Sequence, residues 1–330
     1  MRNNEIIVSI ICLAYNHEKY IRQCLEGFVC QKTTFNFEVL VHDDASIDGT
    51  AEIIREYEKK YPHLIKPIYQ SENQYSKKVG IVSTFILPKA KGKYIAYCEG
   101  DDYWVDYNKL QRQVEALEKN PDCYICVSRV DVVEEDDSYS SRNQNRRFPS
   151  CDEKWDSVKG VEKLHPYLYQ LSGYLLNAEK MKAYYYNPPK FKSTSDVGDL
   201  PLLLYFSQLG NIYVISKCLS HYRINSIGSW HDRTENANVQ LLHFNKMIKM
   251  LYEYDDFTKQ RFHKIIMYKI LNYQFSVAKI TKDYKKLIGK INKKVWETLA
   301  LRQKIRIVLY CISPKLGNKV DTFMGRKKVK

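Results

Sequence analysis

Residues 93–104 read KYIAYCEGDDYW, an apolar run that ends in Glu99, Asp101 and Asp102. Carboxylates this close repel one another, and burying them costs several kcal/mol unless a cation compensates. The stretch therefore asks for a metal ion, another bound cation or a catalytic task. Two more polar clusters follow apolar runs, AYN at 14–16 and HDDAS at 42–46. Taken singly each reads as a turn, because Asp, Asn and Gly favour turns. Three such clusters behind three strands suggest one shared edge.

The elements that must position them alternate. An apolar run at 6–13 precedes helical spacing at Tyr20, Ile21, Cys24, Leu25 and Phe28. FEVLVH (37–42), IKPIY (65–69), KYIAYC (93–98) and CYICVSRVDVV (123–133) have strand character. Helical patterns fill 50–62 and 107–119, and a helical stretch lies between the third and fourth strands. Such alternation predicts an α/β fold with a mainly parallel central sheet flanked by helices. Ligands of such sheets bind outside the carboxyl ends of the strands. Residues 136–157 are polar and read as a loop, YQLSGYLL as a strand, DLPLLLYFSQLG as a helix, and NIYVIS and CLSHYR as strands.

The chain has 330 residues and a formal net charge of +14. Residues 1–234 hold 30 Lys and Arg against 31 Asp and Glu, whereas residues 235–330 hold 22 against 7. A near-neutral body thus carries a basic appendage suited to something anionic. The nine cysteines follow no disulfide spacing and read as reduced thiols. Cys123 and Cys126 form a CxxC without a second ligand pair, which favours a plain strand over a zinc site. IIVSIICLAY is too short and wrongly flanked for a leader, and no run reaches the ~18 apolar residues of a spanning helix.

With the strand-end clusters in place, the chain resembles the inverting nucleotide-sugar glycosyltransferases of family 2, which have the GT-A fold. The resemblance covers about 6–230 and is carried by VSIICLAYNHEKYIRQCLEGFVCQ, FEVLVHDDASIDGT, AKGKYIAYCEGDDYW, GDLPLLLYFSQLG and HYR. It implies that Leu13, Tyr15 and Asp44 hold the nucleobase. A Tyr ring stacks on a flat base, and an ionised Asp accepts the imide N–H that uracil has and adenine lacks. A uridine or thymidine donor is therefore expected. Asp101 would face the ribose, and Asp102, with Asp101, would hold Mg²⁺ or Mn²⁺. Glu99 stands where many relatives have Asp. Lys78 in NQYSKKVG takes the place of a nucleotide-contacting Arg. Ser172 and Gly173 correspond to the acceptor pocket, while His221 and Arg223 would touch the diphosphate or close the site. Asp199 corresponds to the base that deprotonates the acceptor, with Gly198 where a Glu often sits. Asp199 also reads as a helix N-cap before Pro201, and Asp196 is the fallback.

These readings predict a GT-A catalytic domain over 1–234, with a nucleotide-binding half at 1–131 and an acceptor half at 158–234. A helical basic region follows over 235–330. Within it Ile288, Ile291, Val295 and Leu299 repeat at helical spacing among Lys285, Lys286, Lys290, Lys293 and Lys294. Such a helix either lies on an anionic membrane surface or packs on the core with a solvated lysine face. The expected protein is cytoplasmic, docked at most peripherally on the inner face of the membrane. Its partners are a nucleotide-sugar donor and a glycan or lipid-linked acceptor, with no nucleic acid. The competing readings are a sugar nucleotidyltransferase, a non-catalytic nucleotide-sugar-binding module and a basic scaffold.

Overall fold

The computed structural model describes residues 5–146, 148–163, 170–224, 236–281, 283, 296 and 301–323. The chain divides into two compact units. One comprises Met1–Pro188 with Asp199–Ser229, the other Pro189–Gly198 with Trp230–Lys330.

The first unit is built on a nine-stranded sheet. Its strands are β1 (Ile6–Ala14), β2 (Asn36–Asp43), β3 (Ile65–Tyr69), β4 (Tyr94–Glu99), β5 (Tyr103–Trp104), β6 (Cys123–Val133), β7 (Glu153–Trp155), β8 (Tyr174–Asn177) and β9 (Asn211–Arg223). They lie in the order β3-β2-β1-β4-β8-β6-β9-β5, with β7 also paired to β9. β1 pairs in parallel with β2 and β4, as β2 does with β3 and β6 with β9.

Alternation along β1 explains the layering, because successive side chains of a strand point to opposite faces. Val8, Ile10 and Cys12 enter a core with α1 (Ile21–Val29), α2 (Thr50–Lys60) and α3 (Lys109–Lys119). Ile11 enters a second core with α5 (Ala178–Tyr186), α7 (Asp199–Leu209) and a π-helical turn at Val82–Ile86. α1 buries Ile21, Cys24, Leu25 and Phe28, the residues whose spacing predicts it. Each such side chain contributes roughly 1.5–3 kcal/mol on burial.

The expected parallel sheet is realised across β1 to β4 and again at β6/β9. β8 enters antiparallel to both β4 and β6, and β5 and β7 pair antiparallel with β9, so the sheet as a whole is mixed. YQLSGYLL holds a 3₁₀ turn at Leu171–Gly173 before β8 begins, because the glycine fits a turn better than a strand. NIYVIS and CLSHYR are one strand, β9, with irregular register. The polar loop at 136–157 contains a 3₁₀ turn at Ser141–Asn145 as well as β7, and α4 (Ser157–Lys163) follows it. Cys123 and Cys126 are free thiols buried in β6.

The second unit is helical. It holds α6 (Lys190–Thr194), α8 (Ala237–Phe257), α9 (His263–Thr281), α10 (Leu301–Ile312) and α11 (Pro314–Phe323). Ile307 and Tyr310 of α10 are buried with Leu271, Phe275 and Ala278 of α9. Thr194 donates to Glu253 at 2.5 Å, and His243 Nδ1 lies 2.7 Å from Asp196, so the short excursion before α7 is fastened to α8. Among the described residues no helix is long and apolar enough to cross a membrane. The basic helix expected over 285–299 lies outside the described residues, Trp296 apart.

Lys109, the first residue of α3, is fully buried. Its Nζ donates to Gln113 Oε1 at 2.6 Å and sits 4.3 Å from the Trp104 ring centroid. Burial pulls its pKa down to about 7. Between about pH 7 and about pH 10 the unfolded chain therefore carries a proton that the folded chain lacks, and stability rises with pH across that window. Below pH 7 both states are protonated and the penalty is constant. Urea titrations of wild type and Lys109→Met should show the variant more stable at pH 7, by on the order of 3 kcal/mol. The gap should shrink as pH approaches 10.

Candidate active site

The parallel pairing of β1 with β2 and β4 sets their C-terminal ends side by side. Leu13 is in register with His42 on one neighbour and with Glu99 on the other. The turns beyond are stitched together, Gly100 N–H to Leu13 O at 2.8 Å and Asp44 N–H to Ala14 O at 3.0 Å. A Cβ on Gly100 would lie 2.7 Å from His17 Nδ1, so only glycine lets the loop after β4 pass this close to the loop after β1. The three polar clusters meet on one edge.

The carboxylates gather there. Burial pushes the pKa of Glu99 up to about 8, and the charges of Asp101 and Asp199 push in the same direction. Asp102 is 2 % exposed and is held well above the usual carboxylate range, first by burial and then by Asp101 and Glu99. Its Oδ1 accepts the backbone N–H of Arg223 at 3.0 Å. Tyr222 feels all four: its phenol is held protonated first by burial, then by the charges of Asp102, Glu99, Asp101 and Asp199. Asp199 stands at the head of α7, where its Oδ1 accepts the N–H of Leu200 at 2.7 Å.

Among the described residues no Lys or Arg forms an ion pair with Glu99 or Asp102. Clustered carboxylates, Asp102 buried and Glu99 and Asp101 half-buried, offer an all-oxygen donor set that suits a hard divalent cation such as Mg²⁺ or Mn²⁺. Asp102, Asp101 and Glu99 are the residues that could hold one.

Arg223 is 2 % exposed, and its guanidinium serves the protein rather than open space. It donates to Asp101 O at 3.0 Å, Glu135 O at 2.9 Å and Gln23 Oε1 at 2.6 Å, and pairs with Asp137 at 2.8 Å. The rings of Tyr20 and Tyr103 lie 4.9 and 5.3 Å from its Cζ. It thereby joins β9, α1, the loop after β6 and the loop that presents Asp101 and Asp102. That occupancy runs against the sequence expectation that Arg223 meets a diphosphate.

The other expected site residues fall as follows. Asp44 is buried, and its two oxygens accept the N–H groups of Gln74 and Tyr75 at 2.8 and 3.0 Å. Each oxygen keeps a second lone pair. Tyr15 is exposed at the end of β1, and Leu13 packs against the second core. Lys78 is exposed on the segment that Asp44 anchors and takes a left-handed backbone, φ 58°. Ser172 is fully buried, close to Asp102, yet its hydroxyl makes no hydrogen bond of acceptable geometry. A Cβ on Gly173 would meet Val130 Cγ2 at 2.7 Å and Ser128 O at 2.8 Å, so β6 itself occupies the space that glycine opens. His221 Nδ1 lies 3.0 Å from the Tyr103 hydroxyl. Asp196 belongs to the helical unit, where it is bonded to His243. Tyr222 lies in the HYR motif, but only its neighbours His221 and Arg223 are assigned roles from sequence, since no pattern says which way the strand turns it.

Residues 9–173, half of the chain, match the family model described as Glycosyl transferase family 2. The chain belongs to glycosyl transferase family 2. A Mycobacterium tuberculosis relative of this family 2 chain, the uncharacterised protein Rv1520, is 43 % identical over 136 residues, 41 % of this chain and 38 % of the relative. WfaP of Escherichia coli, named as a UDP-Glc:α-D-GlcNAc-diphosphoundecaprenol β-1,3-glucosyltransferase, is 36 % identical over 34 % of this chain and 41 % of its own. The chain thus spans about two fifths of the length of these curated relatives. Among solved structures, residues 1–349 of Staphylococcus aureus TarS, crystallised with UDP-GlcNAc, superpose with a TM-score of 0.65 at 17 % identity. That match covers 97 % of this chain and 93 % of the TarS chain and shows the GT-A fold.

The Arg223 arrangement yields a test. Removing one partner of a buried, hydrogen-bonded charge costs about 3–5 kcal/mol. Lys cannot reproduce the planar fork. Arg223→Lys should lower the unfolding free energy by at least about 2 kcal/mol in denaturant titrations. Arg223→Met should lower it further.

Proposed function

We propose that this chain transfers a sugar from a UDP-sugar to a hydroxyl of a glycan or lipid-linked acceptor, with inversion at the anomeric carbon. The observation that carries the reading is the convergence of Glu99, Asp101, Asp102 and Asp199 around Tyr222 at the carboxyl edge of the sheet. In this reading Tyr15 stacks on the uracil, and Asp44 accepts its imide N–H through a lone pair left by Gln74 and Tyr75. Asp101 faces the ribose, and Lys78, on the same anchored segment, neutralises phosphate charge. Asp199 takes the proton of the acceptor hydroxyl as that oxygen attacks the anomeric carbon. The bond to UDP breaks on the opposite face, and its electron pair leaves with the diphosphate. A bound Mg²⁺ or Mn²⁺ would neutralise the charge that builds on the departing diphosphate. The names of WfaP and TarS support a UDP-linked donor, and that of WfaP a lipid-linked acceptor.

Supplied with UDP-sugars, Mn²⁺ and acceptor glycans, the protein should release UDP and no pyrophosphate, which also separates transfer from nucleotidyl chemistry. Proton NMR of the product should show the anomeric configuration opposite to that of the donor. Asp199→Asn should lower kcat by about 10²–10⁴-fold while leaving UDP affinity within a few-fold. Asp102→Asn should abolish Mn²⁺-dependent thermal stabilisation by UDP. Full transfer by Asp199→Asn would remove the assignment of the base.

The same reading places the enzyme peripherally on an anionic membrane. Support comes from the basic C-terminal third and from α10. Leu301, Ile305, Val308 and Ile312 of that helix are 71, 46, 41 and 69 % exposed at 4-3-4 spacing, opposite the face that buries Ile307 and Tyr310. Such a stripe beside a net charge of +15 over residues 235–330 suits a lipid surface. Flotation with vesicles containing phosphatidylglycerol should carry the protein up, and phosphatidylcholine alone should carry about tenfold less. Ile305→Glu with Val308→Glu should abolish the association without changing transfer to a soluble acceptor.

A further inference from the structure

β9 carries Cys218-Leu-Ser-His221, a C-x-x-H spacing. On a regular strand residues three apart face opposite sides, so the spacing alone means little. The pairing with β6 changes that. Arg129 aligns with Cys218, Val130 with Ser220 and Asp131 with His221, so Leu219 is an extra residue that bulges out of register. A bulge shifts the alternation by one and returns Cys218 and His221 to the same face. Across the ladder, Asp131 lies directly beside His221. The ligating atoms of Asp131, Cys218 and His221 all lie within 4.8 Å of one another.

We propose that Asp131, Cys218 and His221 form a binding site for a borderline-soft divalent metal ion of the zinc class. The donor set is thiolate, imidazole and carboxylate, which selects Zn²⁺ or Co²⁺ over Mg²⁺ and Mn²⁺ and so separates this site from the all-oxygen cluster at Asp102. Zn–N and Zn–S bonds of about 2.0–2.3 Å in a tetrahedron need ligand atoms about 3.5 Å apart, so the three close by about 1 Å on binding.

The surroundings supply what metal ligands require. His221 Nδ1 is hydrogen-bonded to the Tyr103 hydroxyl at 3.0 Å, which fixes the ring and leaves Nε2 for the metal. Nε2 meets only the Tyr139 hydroxyl at 3.5 Å, a contact easily given up. Asp131 is 4 % exposed, and Arg129 holds its carboxylate through two bonds of 2.7 and 2.9 Å, leaving a lone pair on each oxygen. Cys218 Sγ donates to Ser220 O at 3.3 Å; on binding, the thiol proton passes to solvent and sulfur bonds the metal. Thiolate and carboxylate bring two negative charges to the dication, the carboxylate's being shared with the Arg129 guanidinium. The fourth position is left to water. The ion pins β6 to β9 two residues before Arg223, and through Tyr103 it steadies the strand that follows Asp102.

Cobalt titration of the chelator-treated full chain tests the site. A single equivalent of Co²⁺ should bring up thiolate-to-cobalt charge-transfer absorption in the near ultraviolet, with intense visible bands of tetrahedral cobalt. Cys218→Ser should lose the charge-transfer band, and Cys151→Ser, at an exposed thiol, should keep it. Tyr103→Phe, which removes the hydroxyl bonded to Nδ1 and also to Asp137, should weaken Co²⁺ binding about 10–100-fold. If Cys218→Ser folds poorly, alkylation of the wild type decides: one equivalent of Zn²⁺ should protect Cys218 and leave Cys30 and Cys151 reactive. Absence of the band, its persistence in Cys218→Ser, or unprotected Cys218 would overturn the proposal. None of these readouts depends on sugar transfer, so the failure of one reading leaves the other standing.

Discussion

Repulsion among buried carboxylates is the constraint around which the catalytic unit is arranged. Asp102 is buried and Glu99, Asp101 and Asp199 are half-buried beside it, and left alone they would relax by protonation or by moving apart. The fold prevents the second outcome with a cation that does not neutralise them. Arg223 reaches the carbonyl of Asp101 and the loop after β6, while its backbone, not its guanidinium, meets the carboxylate of Asp102. The carboxyl groups are therefore held in place without an internal counter-charge on Glu99 or Asp102. A site built this way keeps its affinity for an incoming dication and phosphate, which an internal salt bridge would have spent.

A second buried basic side chain braces the same stretch. Trp104, two residues after Asp102, lies against Lys109, and Gln113 links Lys109 to the carbonyl of Gly173. The EGDDYW segment is thus bracketed by Arg223 above its first carboxylates and by Lys109 beneath its tryptophan. Rigid brackets matter because electrostatic catalysis depends on groups that need no rearrangement when charge develops.

Much of this architecture was legible in the sequence, because period-2 and period-3.6 patterns report which face of an element is buried. β1, β2, β4, α1, α2 and α3 carry that signal strongly, and the three polar clusters pointed to the shared edge at which they meet. Legibility failed where long-range pairing decides the outcome. Nothing in YQLSGYLL tells that β8 will run antiparallel between two strands from different halves of the sheet. NIYVIS and CLSHYR look like two strands because their bulge breaks the alternation. The carboxylates Asp44, Asp101, Asp102 and Asp199 were named through motif resemblance. Tyr222 and the internal commitment of Arg223 depend on which way β9 turns each residue, and only coordinates give that.

β9 has 13 residues; its register against β6 slips at Ser216 and Lys217 and again at Leu219, the one extra residue that sets the parity from Cys218 to Arg223. Upstream of it the strand serves the core, and downstream Tyr222 faces the carboxylates while His221 and Arg223 face the tyrosines. Losing or gaining one residue between Cys218 and Arg223 would invert every side chain beyond that point, turning a cation toward the acids and a phenol away from them. Homologous chains should therefore vary freely in the length of the 136–150 loop and hardly at all in this stretch of strand.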